Sequence, residues 1–452
     1  MLTIRLKTLV FLGCLFETVW LLIAQTLGNS MLIIPCLVCF MALAAWGALK
    51  GMALPILLYF LPFATLLKTN PGETSFFTIA LLIVYVISFV EGFRKISIMH
   101  VIPGAMLIGM CLLVKTLHNY SLDKGFILFS LSLLLAPYVA NEFGKRYDFY
   151  WLTLFFTVGI TIAALSSLYL REFSSIARYI EDYELFGVVR HSGYYGDPNF
   201  YSAHISAAVS GVLILLLGNV EKKKMIVLML MLMMLIYCGF LAVSKSFFLI
   251  LACLVLLFVL DLMFKKGRLS AKLLLILTFS VGAIFLLSSS AFLNLSAMIL
   301  SRFVGGSNLS DFTTGRTEIW IVFINAFKED TLLLLFGRGY TDVRIAVKGS
   351  HNTVIQVVYQ FGLVGCICLV AWLIFCVRTF AKHVKINGDG FVQFCVIMIG
   401  VIGPWMALDL LFFDEFFLMP MYVCIGLMSV TNKGMDRGIS FRRRTKRLRI
   451  KI

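Results

Sequence analysis

Arg338, Arg344, Lys348 and His351 crowd into one stretch, GRGYTDVRIAVKGSHNTVIQVVYQFGLVG (337–365), just before an apolar run that begins near residue 352. A guanidinium grips phosphate through paired N–H donors, a lysine adds a point charge, and a neutral imidazole accepts a proton from a hydroxyl. Ser350 is placed to cap the helix that follows, which leaves His351 and Asn352 at its positive end. That end favours anions and disfavours a protonated imidazole, which suits a pyrophosphate site with a proton acceptor beside it. Asn352, Gln356 and Tyr359 recur at helical spacing and predict a polar stripe facing a cavity. The competing reading of His351 is a hydrogen-bonded structural residue.

Two more cations stand in comparable places. In VVRHSGYYGDPNFYSAH (188–204), Asp197 is a natural N-cap and Pro198 suits the first turn, so a helix starts near residue 199. Arg190 lies just outside it, free to grip a phosphate or to pair with Glu181, Asp182 or Glu184. In DFTTGRTEIWIVFINAF (311–327), Trp320, Phe323 and Phe327 form a stripe that fits a helix lying in the membrane interface. Arg316 then sits in its first turn, where lipid-headgroup snorkelling is the competing reading.

The elements that must position these residues are membrane helices. Of the 452 residues, 61% are hydrophobic and only 14% charged, and the mean hydropathy is +0.97; a soluble domain is about a quarter charged. Apolar segments fall at 8–27, 30–48, 52–67, 75–92, 99–116, 125–140, 150–170, 199–219, 225–243, 246–264, 271–290, 352–377, 391–411 and 416–430. The expectation is an all-α polytopic protein with about 12–14 spans, the first of them a true span and not a signal peptide, and with one or two short segments re-entrant. With the N-terminus inside, every alternate loop is basic: Lys50; Arg94 and Lys95; Lys145 and Arg146; the EKKK of 221–224; the KKGR of 265–268; Arg378, Lys382 and Lys385; and the tail FRRRTKRLRIKI. The net charge of +16 therefore reads as topology and lipid contact, not as a nucleic-acid surface.

Two long loops on the other side, 171–198 and 291–350, break the charge rule with Arg171, Arg178, Arg190, Arg302, Arg316, Lys328, Arg338, Arg344 and Lys348. An anionic ligand explains cations held there. The chain thus divides into N-terminal spans (1–170), a core with both loops (171–378), C-terminal spans (379–430) and a basic cytoplasmic tail (431–452). The 11 cysteines lie in apolar runs, and the Cys36-x-x-Cys39 pair lacks the second pair or histidine a zinc site needs, so buried thiols without disulfides are expected. Glu17, inside the first span, is costly there and reads as a cavity hydrogen bond or part of an acceptor path.

RHSGYYGDPNFYSAH, TTGRTEIW and above all GRGYTDV…SHNTVIQVVYQFGLVG resemble the O-antigen ligase/polymerase superfamily of bacterial surface-polysaccharide enzymes, over roughly residues 185–375. AVSKSFF (242–248) is similar to a Ser-Arg motif of that family, with Lys245 where arginine is usual; lysine keeps the charge and loses the planar fork. The resemblance implies a helical fold related to the C-type glycosyltransferases. It also implies inverting transfer of a glycan from undecaprenyl pyrophosphate to an acceptor hydroxyl, on the outer side of the bacterial cytoplasmic (inner) membrane. Arg190 and Arg316 would hold the pyrophosphate, His351 would take the hydroxyl proton or orient the phosphate, and Arg338, Arg344, Asn352 and Lys245 would complete the substrate site. No Asp-x-Asp occurs in either outer loop, so no metal or other cofactor is expected. A polymerase joining lipid-linked repeats is the first expectation and a ligase moving the finished glycan to lipid A core or another acceptor is the second. A transporter or lipid flippase is the rival of another class. It would place charge at mid-span and show inverted repeats, whereas here the charge lies in loops and at helix ends and no repeat is evident.

Overall fold

The computed structural model describes residues 6–92, 101–143, 149–180, 183–185, 188–218, 221–264, 297, 315–341, 344–345, 348–381, 391–409 and 422. The expected spans 271–290 and, but for Tyr422, 416–430 lie outside the described residues, as do Arg302 and the basic tail. Among the described residues, seven helices are long and apolar enough to cross a bilayer, and five shorter apolar helices accompany them. Together they match the remaining twelve expected segments. The chain runs α1 (Leu6–Leu27), α2 (Ser30–Lys50), α3 (Ala53–Phe60), α4 (Phe76–Gly92), α5 (Ile102–Leu117), α6 (Lys124–Phe143), α7 (Phe149–Leu170), a one-turn α8 (Ser174–Ala177), α9 (Pro198–Leu217), α10 (Lys222–Leu241) and α11 (Lys245–Phe264). After the undescribed stretch come α12 (Arg316–Glu329), α13 (Thr331–Phe336), α14 (Thr353–Ala381) and α15 (Phe391–Ile402), which ends in a 3-10 turn, Gly403–Ala407. Two small antiparallel hairpins, β1 (Tyr183–Leu185) with β2 (Val188–Arg190) and β3 (Arg344–Ile345) with β4 (Lys348–Gly349), lead into the two candidate loops.

Apolar side chains cover the outside of this bundle: Phe16, Val90, Leu249 and Ile367 are 68%, 72%, 62% and 70% exposed. In water such a surface is an aggregation hazard, whereas acyl chains solvate it. The protein is membrane-embedded.

The loops sort to two ends. At one, Lys7 lies 5.9 Å from the Trp151 ring and Lys224 lies 5.6 Å from the Tyr150 ring, at the start of α7. At the other end of α7, Ser167 Oγ is 2.9 Å from His191 Nε2. Thr65 donates to the Tyr194 carbonyl there. Gln25 donates to the Leu66 and Lys68 carbonyls at 2.7 and 2.9 Å, and Ser175 bonds the Thr26 carbonyl. Lys7 and Lys224, from the side expected to be basic, are thus separated by the length of α7 from the loop that carries His191.

At the centre lies α9, buried on nearly every side. Its small residues allow close packing, the usual way for helices to associate in lipid. A Cβ on Gly400 of α15 would lie only 2.3 Å from Ser210 Cβ. The serine hydroxyls that would otherwise be stranded bond their own helix: Ser206 Oγ to the Ser202 carbonyl at 2.9 Å, Ser210 Oγ to that of Ala207 at 2.7 Å. Farther along, α14 breaks at Gly362 (φ 60, ψ −177). There Arg338 N–H takes the Tyr359 carbonyl at 2.9 Å, a partner the interrupted helical ladder no longer supplies. Glu17 is buried between α1 and α2 and accepts from Cys36 Sγ at 3.1 Å, so it ties two spans together.

Candidate active site

The site is assembled where α9, α12 and α14 begin. Asp197 caps α9 as its sequence predicts, accepting from Asn199 N at 2.6 Å and Phe200 N at 3.4 Å, with Pro198 in the first turn. This turns Asn199 toward Arg190, whose Nη2 donates to Asn199 Oδ1 at 3.0 Å and whose Nε donates to the Ala242 carbonyl at 3.2 Å. His191 N–H takes the Leu241 carbonyl at 3.0 Å. The final carbonyls of α10, which have no partner within their own helix, are therefore met by the Arg190–His191 segment. Arg190 is buried, held between the negative end of α10 and the positive end of α9. Ser244 closes this corner, its Oγ donating to the same Asn199 oxygen at 3.0 Å, and Lys245 follows as the first residue of α11.

The start of α14 departs from expectation. Asn352, not Ser350, is the N-cap: its Oδ1 accepts from Val354 N at 2.9 Å and Ile355 N at 3.3 Å. Both residues are good caps, and the choice shifts by two residues because Asp409 engages Ser350 instead. Asp409 Oδ2 accepts from His351 N at 2.9 Å, and its Oδ1 accepts from Asn352 N at 3.1 Å and from Ser350 Oγ. It thus fixes three consecutive residues. His351 is left exposed with its backbone in the left-handed region, φ +47. The polar stripe also differs in its surroundings. Gln356 is fully buried with neither amide atom bonded among the described residues, while Tyr359 packs edge-on against Phe323, centroids 5.3 Å apart.

Arg316 opens α12 directly after Gly315, which adopts φ 77. Burial lowers the affinity of its guanidinium for the proton, while the carboxylates of Asp197 and Asp409 raise it. The aspartates that cap α9 and fix His351 are thus near enough to act on Arg316 through their charge, although among the described residues neither forms an ion pair with it. Trp320, one turn on, donates from Nε1 to the Ser350 carbonyl at 3.0 Å, and Phe323 is buried. Trp320 and Phe323, two residues of the stripe expected to mark an interfacial helix, pack on the His351 loop and α14, and Ile321, Val322 and Ile324 are the exposed apolar face of α12.

Arg190, Arg316, His351 and Asn352 converge through two carboxylates and one amide: Asp197 and Asn199 on α9, and Asp409. The two guanidinium groups balance the two aspartates in formal charge, so what remains to favour an anion is the partial positive charge at the starts of α9 and α14. Lys245 adjoins this cluster through Ser244. Arg338 points elsewhere, 3.9 Å from Asp330, the N-cap of α13. Arg344 is placed only by its backbone, paired with Gly349 in the hairpin that delivers Ser350 and His351. Among the described residues, no group of three or more His, Cys, Asp or Glu side chains has metal-binding geometry.

Asp409, Asn199 and Ser244 are the residues that sequence reasoning passed over. For Asp409 a signal existed, since a carboxylate inside an apolar run is costly and marks a function. Backbone strain also collects here. Val243 (φ 44) and His351 are two of three non-glycine residues with positive φ among those described, and they border Arg190's partner Ala242 and the cap of α14 respectively. For a β-branched residue this is a genuine outlier, of the kind that clusters at functional sites. No family model matches this sequence, and no curated protein matches it.

Proposed function

We propose that the chain is an inverting glycosyltransferase of the O-antigen ligase/polymerase type, with a fold related to the C-type glycosyltransferases and its site on the extracytoplasmic face of the bacterial cytoplasmic membrane. The observation that carries this reading is the convergence of Arg190, Arg316 and His351 on the starts of α9 and α14, tied together by Asp197, Asn199 and Asp409. A lipid-linked pyrophosphate docks against the two guanidinium groups and the helix N-termini. An acceptor hydroxyl then attacks the anomeric carbon from the opposite side. The bond from that carbon to the pyrophosphate oxygen breaks, its electron pair leaving with undecaprenyl pyrophosphate, and the hydroxyl proton passes to His351. Arg190 and Arg316 stabilise the charge that builds on the leaving group. The arrangement of cations at helix ends supports this over transport, which favours charge on broken helices near mid-membrane.

We favour a polymerase, with a second lipid-linked repeat as acceptor. The test is complementation of polysaccharide display by Arg190→Ala, Arg316→Ala and His351→Ala, each checked for membrane abundance. Losing one such electrostatic contact lowers rate by about 10²–10³, and losing a general base by roughly 10²–10⁴. All three inserted yet inactive, with single repeats accumulating, is the expected result. Long unattached lipid-linked chains would mark a ligase, and normal display would sink the transferase reading.

A further inference from the structure

A cavity of about 330 Å³ lies beside the cation cluster, between the turn after α3, the start of α4, α6, the loop 194–200 and Tyr340. This is the lower end of the roughly 300–1,000 Å³ typical of small-molecule sites. Three features define what it holds. Its charged residues, Lys68 and Glu73, are of opposite sign, so it selects neither anion nor cation. Its polar lining is otherwise dominated by hydroxyls, among them Ser132, which is only 6% exposed and makes no hydrogen bond within the described residues. Its floor is aromatic and fixed: Tyr340 stacks on Phe129 at 4.5 Å and 20°, and Phe129 in turn on Phe361 at 5.5 Å and 11°. Flat aromatic faces take the C–H face of a sugar ring, and short hydroxyls take its edge.

From this we infer that the cavity is a binding subsite for one neutral sugar unit. Tyr194, Tyr195 and Phe200 form its wall nearest the cluster, and Phe200 directly follows Asn199, the partner of Arg190. The cavity and the Arg190 corner therefore share the first turn of α9, through the adjacent residues Asn199 and Phe200. That the unit belongs to the transferred or accepting glycan rests on the reading proposed above; the chemistry of the cavity does not.

Ser132→Cys, a near-isosteric change on α6, gives a direct readout. Thr78→Cys on the facing wall is the second variant should the first insert poorly. Purified protein is treated with a small water-soluble thiosulfonate, with and without the lipid-free repeat-unit glycan released from the strain's own lipid-linked intermediates. Wild-type protein, with its native cysteines, sets the background. The expected result is modification above background that slows about tenfold at a glycan concentration near ten times Kd. Absence of modification, or a rate unchanged by glycan, overturns the sugar subsite. Repeating the experiment with intact lipid-linked repeat units in an Arg190→Ala background separates the two sources of the sugar. Protection lost there assigns it to the donor, and protection kept assigns it to the acceptor. Protection alongside normal display by the Arg190 and His351 alanine variants leaves the subsite standing and removes the transferase reading.

Discussion

His351 carries a conformation that its β-carbon disfavours by roughly 1–2 kcal/mol. The only bond described for it is to its backbone, from N–H to Asp409. A histidine kept for structure would bond through its ring and relax its backbone; this one does the reverse, which is how strain accumulates where a side chain is needed for chemistry. His351→Gly therefore separates the two roles. Glycine adopts φ +47 without penalty, so thermal unfolding in detergent should show equal or higher stability, by about 1 kcal/mol, while glycan transfer falls as far as it does in His351→Ala. Retained transfer, or a clearly lowered midpoint, would return His351 to a structural role. Asp409 also explains how the strain persists, because one carboxylate holds three consecutive residues and still acts on Arg316 through its charge.

The elements around the site were legible in proportion to how local their signals are. Asp197–Pro198 fixes the start of α9 from a cap and a first-turn proline alone: the cap falls on Asp197 as expected, and the helix begins at Pro198, one residue before the expected start near 199. The cap of α14 slipped from Ser350 to Asn352 because the deciding partner, Asp409, is 58 residues away from His351. The run 391–411 reads as one span, yet its helix stops at Ile402. Gly403 and Pro404 are the breakers that free the chain to turn Asp409 into the site. The least local feature is the kink in α14. Gly362 (φ 60, ψ −177) and Gly337 (φ 70, ψ −168) both occupy a region open essentially to glycine alone. They also meet: a Cβ on Gly362 would lie 2.3 Å from the Leu335 carbonyl carbon, and one on Gly337 2.4 Å from the Gln360 carbonyl oxygen. Two glycines of the opening motif thus lock α13 into the bend of α14. Gly362→Ala combines a forbidden conformation with overpacking, at a cost of about 3 kcal/mol or more. It should lower both membrane abundance and unfolding midpoint, whereas Leu363→Ala at the neighbouring exposed position should leave both nearly unchanged; equal behaviour of the two would mean that α14 straightens freely.

At the scale of the whole molecule, two independent sortings coincide. Sequence charge divides the loops into a basic set and a set that ends in the candidate site, and contacts place Lys7 and Lys224 of the first and His191 of the second at opposite ends of α7. Positive charge is retained on the cytoplasmic side during insertion, so our proposal predicts that the end with Lys7 and Lys224 faces the cytoplasm and the end with Thr65, Tyr194 and His191 faces outward. This orientation is required by the proposed chemistry, since a donor displayed outside could not be reached by a cluster on the inner face. It also has a direct check that involves no glycan. Asn70 lies exposed in the turn that precedes α4, and Lys223 lies exposed at the start of α10. Asn70→Cys should react with a membrane-impermeant maleimide in intact spheroplasts, above the background of the native thiols, while Lys223→Cys should react only after the membrane is opened. The reverse pattern would place Arg190, Arg316 and His351 on the cytoplasmic face. The cation cluster would then remain an anion site, but for a ligand made inside the cell, and transfer from an outward-facing lipid pyrophosphate would no longer be an available reaction.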